Sequence, residues 1–160
     1  MQFTQSMSYP GTVDEVVAMY LTPDYLERRF GRFVVEGSTT VSVEGERVSY
    51  AGTVRPELIP AAAARFVKSD LRVTFTEEWT LNEAEARSRT SVAVDGAPVS
   101  VEATSTLTPS DAGSAREVSG NLSVRVPLLG GRIEKEAVAR VGRLTENEQA
   151  SAAQWLEEHR

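Results

Sequence analysis

The sequence contains no cysteine, so disulfides and thiol chemistry are excluded. Its single histidine, His159, is next to last. Zinc and copper sites draw mainly on cysteine and histidine, so no metal site is expected. No apolar run approaches the ~20 residues of a bilayer span, so no membrane insertion is expected. The opening Met1-Gln2-Phe3-Thr4-Gln5-Ser6 has neither a charged nor an apolar leader region, and a cytoplasmic protein is the default expectation. Basic residues are outnumbered 17 to 23, and a net charge of −6 argues against a nucleic-acid partner. What remains is a chain of 160 residues with the apolar and charged fractions of one globular domain spanning 1–160.

The most conspicuous stretch is the last. From Gly130 to Arg160 there is no proline and one internal glycine beyond the opening Gly130-Gly131 pair. Ile133, Ala137, Val141, Leu144, Ala152 and Trp155 recur at steps that share one helix face. The spacing predicts a helix over Arg132 to about Glu157, roughly 40 Å long at 1.5 Å per residue. Its apolar face needs a broad cover. Most of the chain from Val34 to Val126 has the period of two that strands require.

Gln2 to Tyr9 reads as a first strand, broken by Pro10-Gly11. Thr12-Val13-Asp14-Glu15 has the form of a capping box, with an amphipathic helix following to Leu21. Thr22-Pro23-Asp24 reads as a second cap, with a helix to Phe30 that Gly31 ends. Phe33 to Glu36 and Thr39 to Val43 form a second strand region. Strand three runs from Arg47 to Arg55, and Ala61 to Lys68 reads as a short helix. Strand four, Leu71 to Leu81, is predicted to be central. Strand five covers Ala86 to Val94, Asp95-Gly96 signals a hairpin, and strand six covers Val99 to Leu107. Pro109 to Ser114 reads as a polar loop before strand seven, Val118 to Val126. This order gives an α+β fold: a curved antiparallel sheet of about seven strands wrapped on a long C-terminal helix, with two short helices after strand one.

That order, with the Tyr9-Pro10 step, Glu77-Glu78-Trp79 and Val126-Pro127-Leu128-Leu129-Gly130-Gly131-Arg132-Ile133-Glu134, resembles the helix-grip fold of the START and polyketide cyclase superfamily, which includes the birch pollen allergen. Within it the chain is similar to a family of uncharacterised proteins of high-GC Gram-positive bacteria. The resemblance implies a cavity between sheet and long helix that holds lipids, sterols, polyketides or hormones, and in a minority of members a cyclase or hydrolase. It implies no cofactor and carries over no catalytic motif.

Polar residues that interrupt inward apolar rows are the candidates for chemistry. A helical wheel puts Glu148 about 20° from the centre of the apolar stripe. Glu77 shares a face with Phe75 and Trp79, and Thr90 and Ser105 sit mid-row among valines. With Tyr50, Val141 and Leu144 they make the expected ligand-contacting set: Tyr50, Glu77, Trp79, Thr90, Ser105, Val141, Leu144 and Glu148. The expected function is binding of a small hydrophobic or amphipathic molecule between sheet and helix. One alternative is a cyclase- or dehydratase-like enzyme using Glu77 or Glu148 as base; another is a non-catalytic partner-binding module with a filled interior. Arg140 is expected to pair with Glu136 at i, i+4, and Gly130-Gly131 to make a tight turn. Oligomeric state is left open.

Overall fold

The computed structural model describes residues 1–67 and 69–160. Its elements are β1 (Gln2–Tyr9), α1 (Val13–Tyr20), α2 (Pro23–Phe30), β2 (Thr40–Glu44), β3 (Arg47–Thr53), α3 (Ala61–Ala64), β4 (Arg72–Leu81), β5 (Ala86–Asp95), β6 (Val99–Ser110), β7 (Gly113–Val124) and α4 (Gly130–Glu158). The strands form one antiparallel sheet in the order β1-β7-β6-β5-β4-β3-β2. The first strand thus lies beside the last, and β4 is interior. α4 packs on β1 and β7, and α1 and α2 pack on α4. This is the helix-grip arrangement.

Local chemistry explains most boundaries. Thr12 accepts from the Glu15 amide at 3.2 Å while the Glu15 carboxylate accepts from the Thr12 amide at 3.5 Å, so the capping box forms. Thr22 does not cap α2: its hydroxyl donates to the Ala18 carbonyl at 2.7 Å, tying it to the end of α1. Gly31 does not stop α2 in a left-handed cap. It keeps helical angles, and the chain tightens into a 3₁₀ turn over Gly31–Phe33. Phe33 to Glu36 is therefore not a strand, and only Val34 makes an isolated bridge, to Val54. The short helix spans Ala61–Ala64, and the Lys68 end of the expected segment lies outside the described residues.

Pro109 to Ser114 is not a loop. β6 runs to Ser110, β7 starts at Gly113, and the turn is two residues long. Pro109 is tolerated because the β5 pairing ends at Leu107, so its missing N–H breaks no ladder on that side. Gly130 begins α4 and the turn falls on residues 127–129; a Cβ at Gly130 would collide with the Val124 carbonyl, which accounts for the glycine. Arg132, not Arg140, pairs with Glu136, at 3.5 Å.

The two halves of α4 do different work. Ala152, Trp155 and Leu156 are buried with Tyr9, Tyr20, Tyr25 and Trp79 in the main core. A second cluster gathers Leu26, Val34, Val48, Tyr50 and Phe75 beneath α2. The first turns of α4 contribute one strongly buried large residue, Ile133.

Candidate functional site

Period-two alternation puts Glu77 on the inward face of β4, and its neighbours leave it fully buried. On β7 the same period places Ser114, Arg116 and Val118 inward, and Arg116 is 2 % exposed. Register then sets Trp79 opposite Ser88, Ser88 opposite Ser105 and Leu107 opposite Arg116. The Arg116 side chain reaches diagonally across this row. Nη2 donates to Glu77 Oε2 at 2.8 Å and to Ser88 Oγ at 3.1 Å, and Nε donates to Ser105 Oγ at 2.9 Å. Thr90 Oγ1 donates to Glu77 Oε2 at 2.8 Å, and Trp79 Nε1 donates to Oε1 at 3.2 Å.

α2 closes the network from above. Tyr25, Leu26, Arg29 and Phe30 share its inner face, so Arg29 hangs over the sheet. Its Nε lies 2.6 Å from Glu148 Oε1, and its Nη1 lies 3.8 Å from Glu77 Oε1. Tyr20 donates to Glu148 Oε1 at 3.2 Å and shares a 2.7 Å hydrogen bond with Tyr9. Both guanidiniums sit over the Tyr20 ring, at 4.9 Å for Arg29 and 4.8 Å for Arg116. Two cations and two carboxylates thus neutralise one another inside an aromatic cage.

Burial pushes the Glu77 carboxyl up, but the guanidiniums of Arg116 and Arg29, with the hydrogen bonds from Thr90 and Arg116, outweigh it and hold the group below the ordinary carboxylate range. Burial raises the Tyr9 and Tyr20 hydroxyls above theirs, with Glu148 adding to the shift. The centre therefore has fixed charges and neutral phenols at pH 7. Among the described residues, Tyr25 Oη, Arg29 Nη1 and Arg116 Nη1 are buried without a hydrogen-bond partner.

A cavity of about 250 Å³ lies elsewhere, beneath the first turns of α4. Ile133 and Ala137 line it from the helix, Val94, Leu122 and Val124 from the sheet, and Leu58, Pro60, Phe66 and Leu71 from the segment between β3 and β4. Every described residue of its lining is apolar. A smaller cleft of about 190 Å³ opens between α2 and α4, lined in part by Arg28, Arg32, Phe33, Leu144 and Glu148.

The profile of the family described as "Protein of unknown function (DUF2505)" matches residues 4–156. The chain belongs to this family. The uncharacterised protein Rv0481c of Mycobacterium tuberculosis is similar over 96% of this chain and 95% of its own length, at 26% identity. Among solved structures, TTHA0849 from Thermus thermophilus superposes with a TM-score of 0.63 at 15% identity, covering 99% of both chains. Ara h 8.0201 superposes with a TM-score of 0.62 at 12% identity, covering 99% of this chain and 98% of its own. At those identities the likeness shows the shared helix-grip fold.

Of the eight residues singled out in the sequence, Glu77, Trp79, Thr90, Ser105 and Glu148 come together in the charged network. Tyr50 lies in the neighbouring cluster, where its hydroxyl donates to Glu27 Oε2 at 3.1 Å. Val141 is half-buried on α4, between the charged network and the apolar cavity. Leu144 is 44 % exposed at the rim of the α2–α4 cleft. None of the eight lines the apolar cavity. Arg116, Arg29, Tyr9 and Tyr20 complete the network and are not among the eight. Extending the β7 alternation back to Ser114 finds Arg116, and the inner face of α2 finds Arg29.

Proposed function

We propose that the protein binds a small, largely apolar molecule in the cavity beneath the first turns of α4. The observation that carries this reading is the lining, in which no described side chain offers a hydrogen bond or a charge. An interior of that chemistry excludes a ligand with a buried polar group, which would lose its water without replacement. A hydrocarbon chain or fused-ring body satisfies it, with any polar end left at the mouth where Leu58 and Phe66 are half-exposed. In this reading the Glu77–Arg116–Arg29–Glu148 network lies outside the ligand space and braces the sheet and α2 beside it. The cyclase-like alternative is less favoured. An acidified carboxylate that already accepts from Thr90, Trp79 and Arg116 is a weak proton acceptor.

The test uses N-phenyl-1-naphthylamine, a neutral apolar probe. Saturable fluorescence enhancement is expected with the wild type. Ala137→Phe, which projects a ring into the cavity, should weaken it about tenfold or more without lowering the melting temperature. Absence of saturable binding, or binding unchanged by Ala137→Phe, overturns the proposal. Native mass spectrometry of protein from its own host would identify the occupant.

A further inference from the structure

Three loops meet at the end of the sheet where the cavity opens. Pairing of Gly52 with Val73, Val73 with Val94 and Val99 with Val124 brings residues 54–67, 69–71, 95–98 and 125–129 to that end. Leu128 is fully solvent-exposed and has φ of 68°, the left-handed region that a leucine adopts only at a cost. Leu58 and Phe66 are 43 % and 48 % exposed. Val126 joins these features, lining the cavity on one side and a surface hollow beside Leu128 on the other. Three large apolar side chains therefore surround the mouth of an apolar cavity.

The charge around them differs from that of the rest of the chain. Residues 54–67, 69–71, 95–98 and 125–135 hold five Lys/Arg and four Asp/Glu, a balance of +1, so with a net charge of −6 the remainder carries −7. The Arg65 guanidinium lies 5.0 Å from the Phe66 ring centre, Arg125 is exposed beside Val126, and the Arg132 side chain is 71 % exposed.

We propose that this end docks peripherally on an anionic lipid surface, with Leu58, Phe66 and Leu128 entering the interface and Arg65, Arg125 and Arg132 meeting the head groups. Protruding apolar tips with exposed arginines among them suit a fluid, negatively charged layer. A second copy of the chain is a poorer occupant, because face-to-face pairing would bring two net-positive surfaces together. The absence of a membrane-spanning helix among the described residues bears on crossing a bilayer and not on resting upon one. The surface stands on its own whether or not the cavity holds a ligand.

Co-sedimentation with vesicles of phosphatidylcholine alone, and of equimolar phosphatidylcholine and phosphatidylglycerol, tests this. Binding is expected to the anionic vesicles and to weaken with salt. Leu128→Gly relieves the left-handed backbone while removing the apolar tip. It should bind about tenfold more weakly yet melt no lower than the wild type. Phe66→Asp and the pair Arg125→Glu, Arg132→Glu should lose binding as well. Ala137→Phe should retain it, which separates failure of the docking surface from failure of the ligand cavity. No binding to anionic vesicles overturns the proposal, as does binding that Leu128→Gly and Phe66→Asp leave intact. Self-association abolished by Leu128→Gly, without vesicle binding, also overturns it and makes the face a contact between copies.

Discussion

The two ends of the space beneath α4 are built on opposite principles. At the C-terminal half of the helix, Glu77, Arg116, Arg29 and Glu148 fill the interior with charges of opposite sign that neutralise one another. At the N-terminal half the walls are apolar and the space is left open. A buried ion cluster of this kind is rarely the most stable filling, since hydrophobic residues of similar volume avoid the desolvation cost. Its advantage is specification. Arg116 bonds with side chains of β4, β5 and β6 at once, so a slip of one residue in β7 would turn the guanidinium outward and strand Glu77. The open end has no such cross-bracing and is free to accept a guest.

The contrast breaks most visibly at Arg116. Arg116→Met should cost about 3–5 kcal/mol, because Glu77 would remain buried beside a single, more distant guanidinium. Urea denaturation measures this. Combining it with Glu77→Leu should recover part of the loss, since the double variant buries no carboxylate at that point. A double variant weaker than the sum of the singles would show that the centre depends on packing rather than on charge compensation.

Acid sharpens the same contrast. The folded state holds Glu77 below its unfolded pKa of about 4.3, so its contribution is complete above that pH and is lost as pH falls through the lower, folded value. Melting curves of the wild type should therefore fall across the acid range, and Glu77→Gln should flatten that dependence after its own initial loss. The buried Tyr9 and Tyr20 hydroxyls act at the other extreme. Their raised pKa values preserve stability up to about pH 10 and withdraw it as pH climbs toward the folded values.

Glu148 should matter less than Arg116. Its side chain is 19% exposed, and Arg29 keeps Glu77 nearby when it is removed. Glu148→Leu should cost about 2 kcal/mol, the worth of hydrogen bonds to a charged group. A variant as stable as the wild type, but with weaker probe binding, would instead mark Glu148 as a ligand anchor.

The sequence reveals the open end and the charged end unequally. Alternation on β4 and β5 places Glu77, Thr90 and Trp79 inward because an unbroken period of two fixes the face of every residue. Glu148 follows from helical spacing in the same way. Arg116 escapes because Pro109 and the polar run after it imitate a loop, while the ladder tolerates proline beyond the last β5 pair. Arg29 escapes because an arginine on a short helix ordinarily faces water. It turns inward only because Glu77 and Glu148, distant in sequence, wait beneath it. Such partners become visible once the sheet is assembled. The cavity is less legible still, since it is a space left between elements, and no local pattern in Ile133, Ala137 or Leu122 marks it as unfilled.

The smallest expected effect has the opposite sign. Ala137 sits on α4 and lines the open cavity of about 250 Å³, so a larger side chain there is directed toward unfilled space. In the charged centre the side chains are closely hydrogen-bonded, and enlargement there should destabilise. Ala137→Phe places a ring against Leu122, Val124 and Ile133, burying apolar surface that now faces empty space or water. Cavity filling of this kind raises stability by about 0.5–2 kcal/mol when the new side chain finds an unstrained rotamer. The lower half of that range is expected here, because the cavity is partly open and the ring gains incomplete burial. Thermal denaturation of the ligand-free protein measures the change. A loss of more than about 1 kcal/mol would mean that the space is already occupied by tightly packed side chains in solution. The open half of the contrast would then fail, and with it the room for a guest.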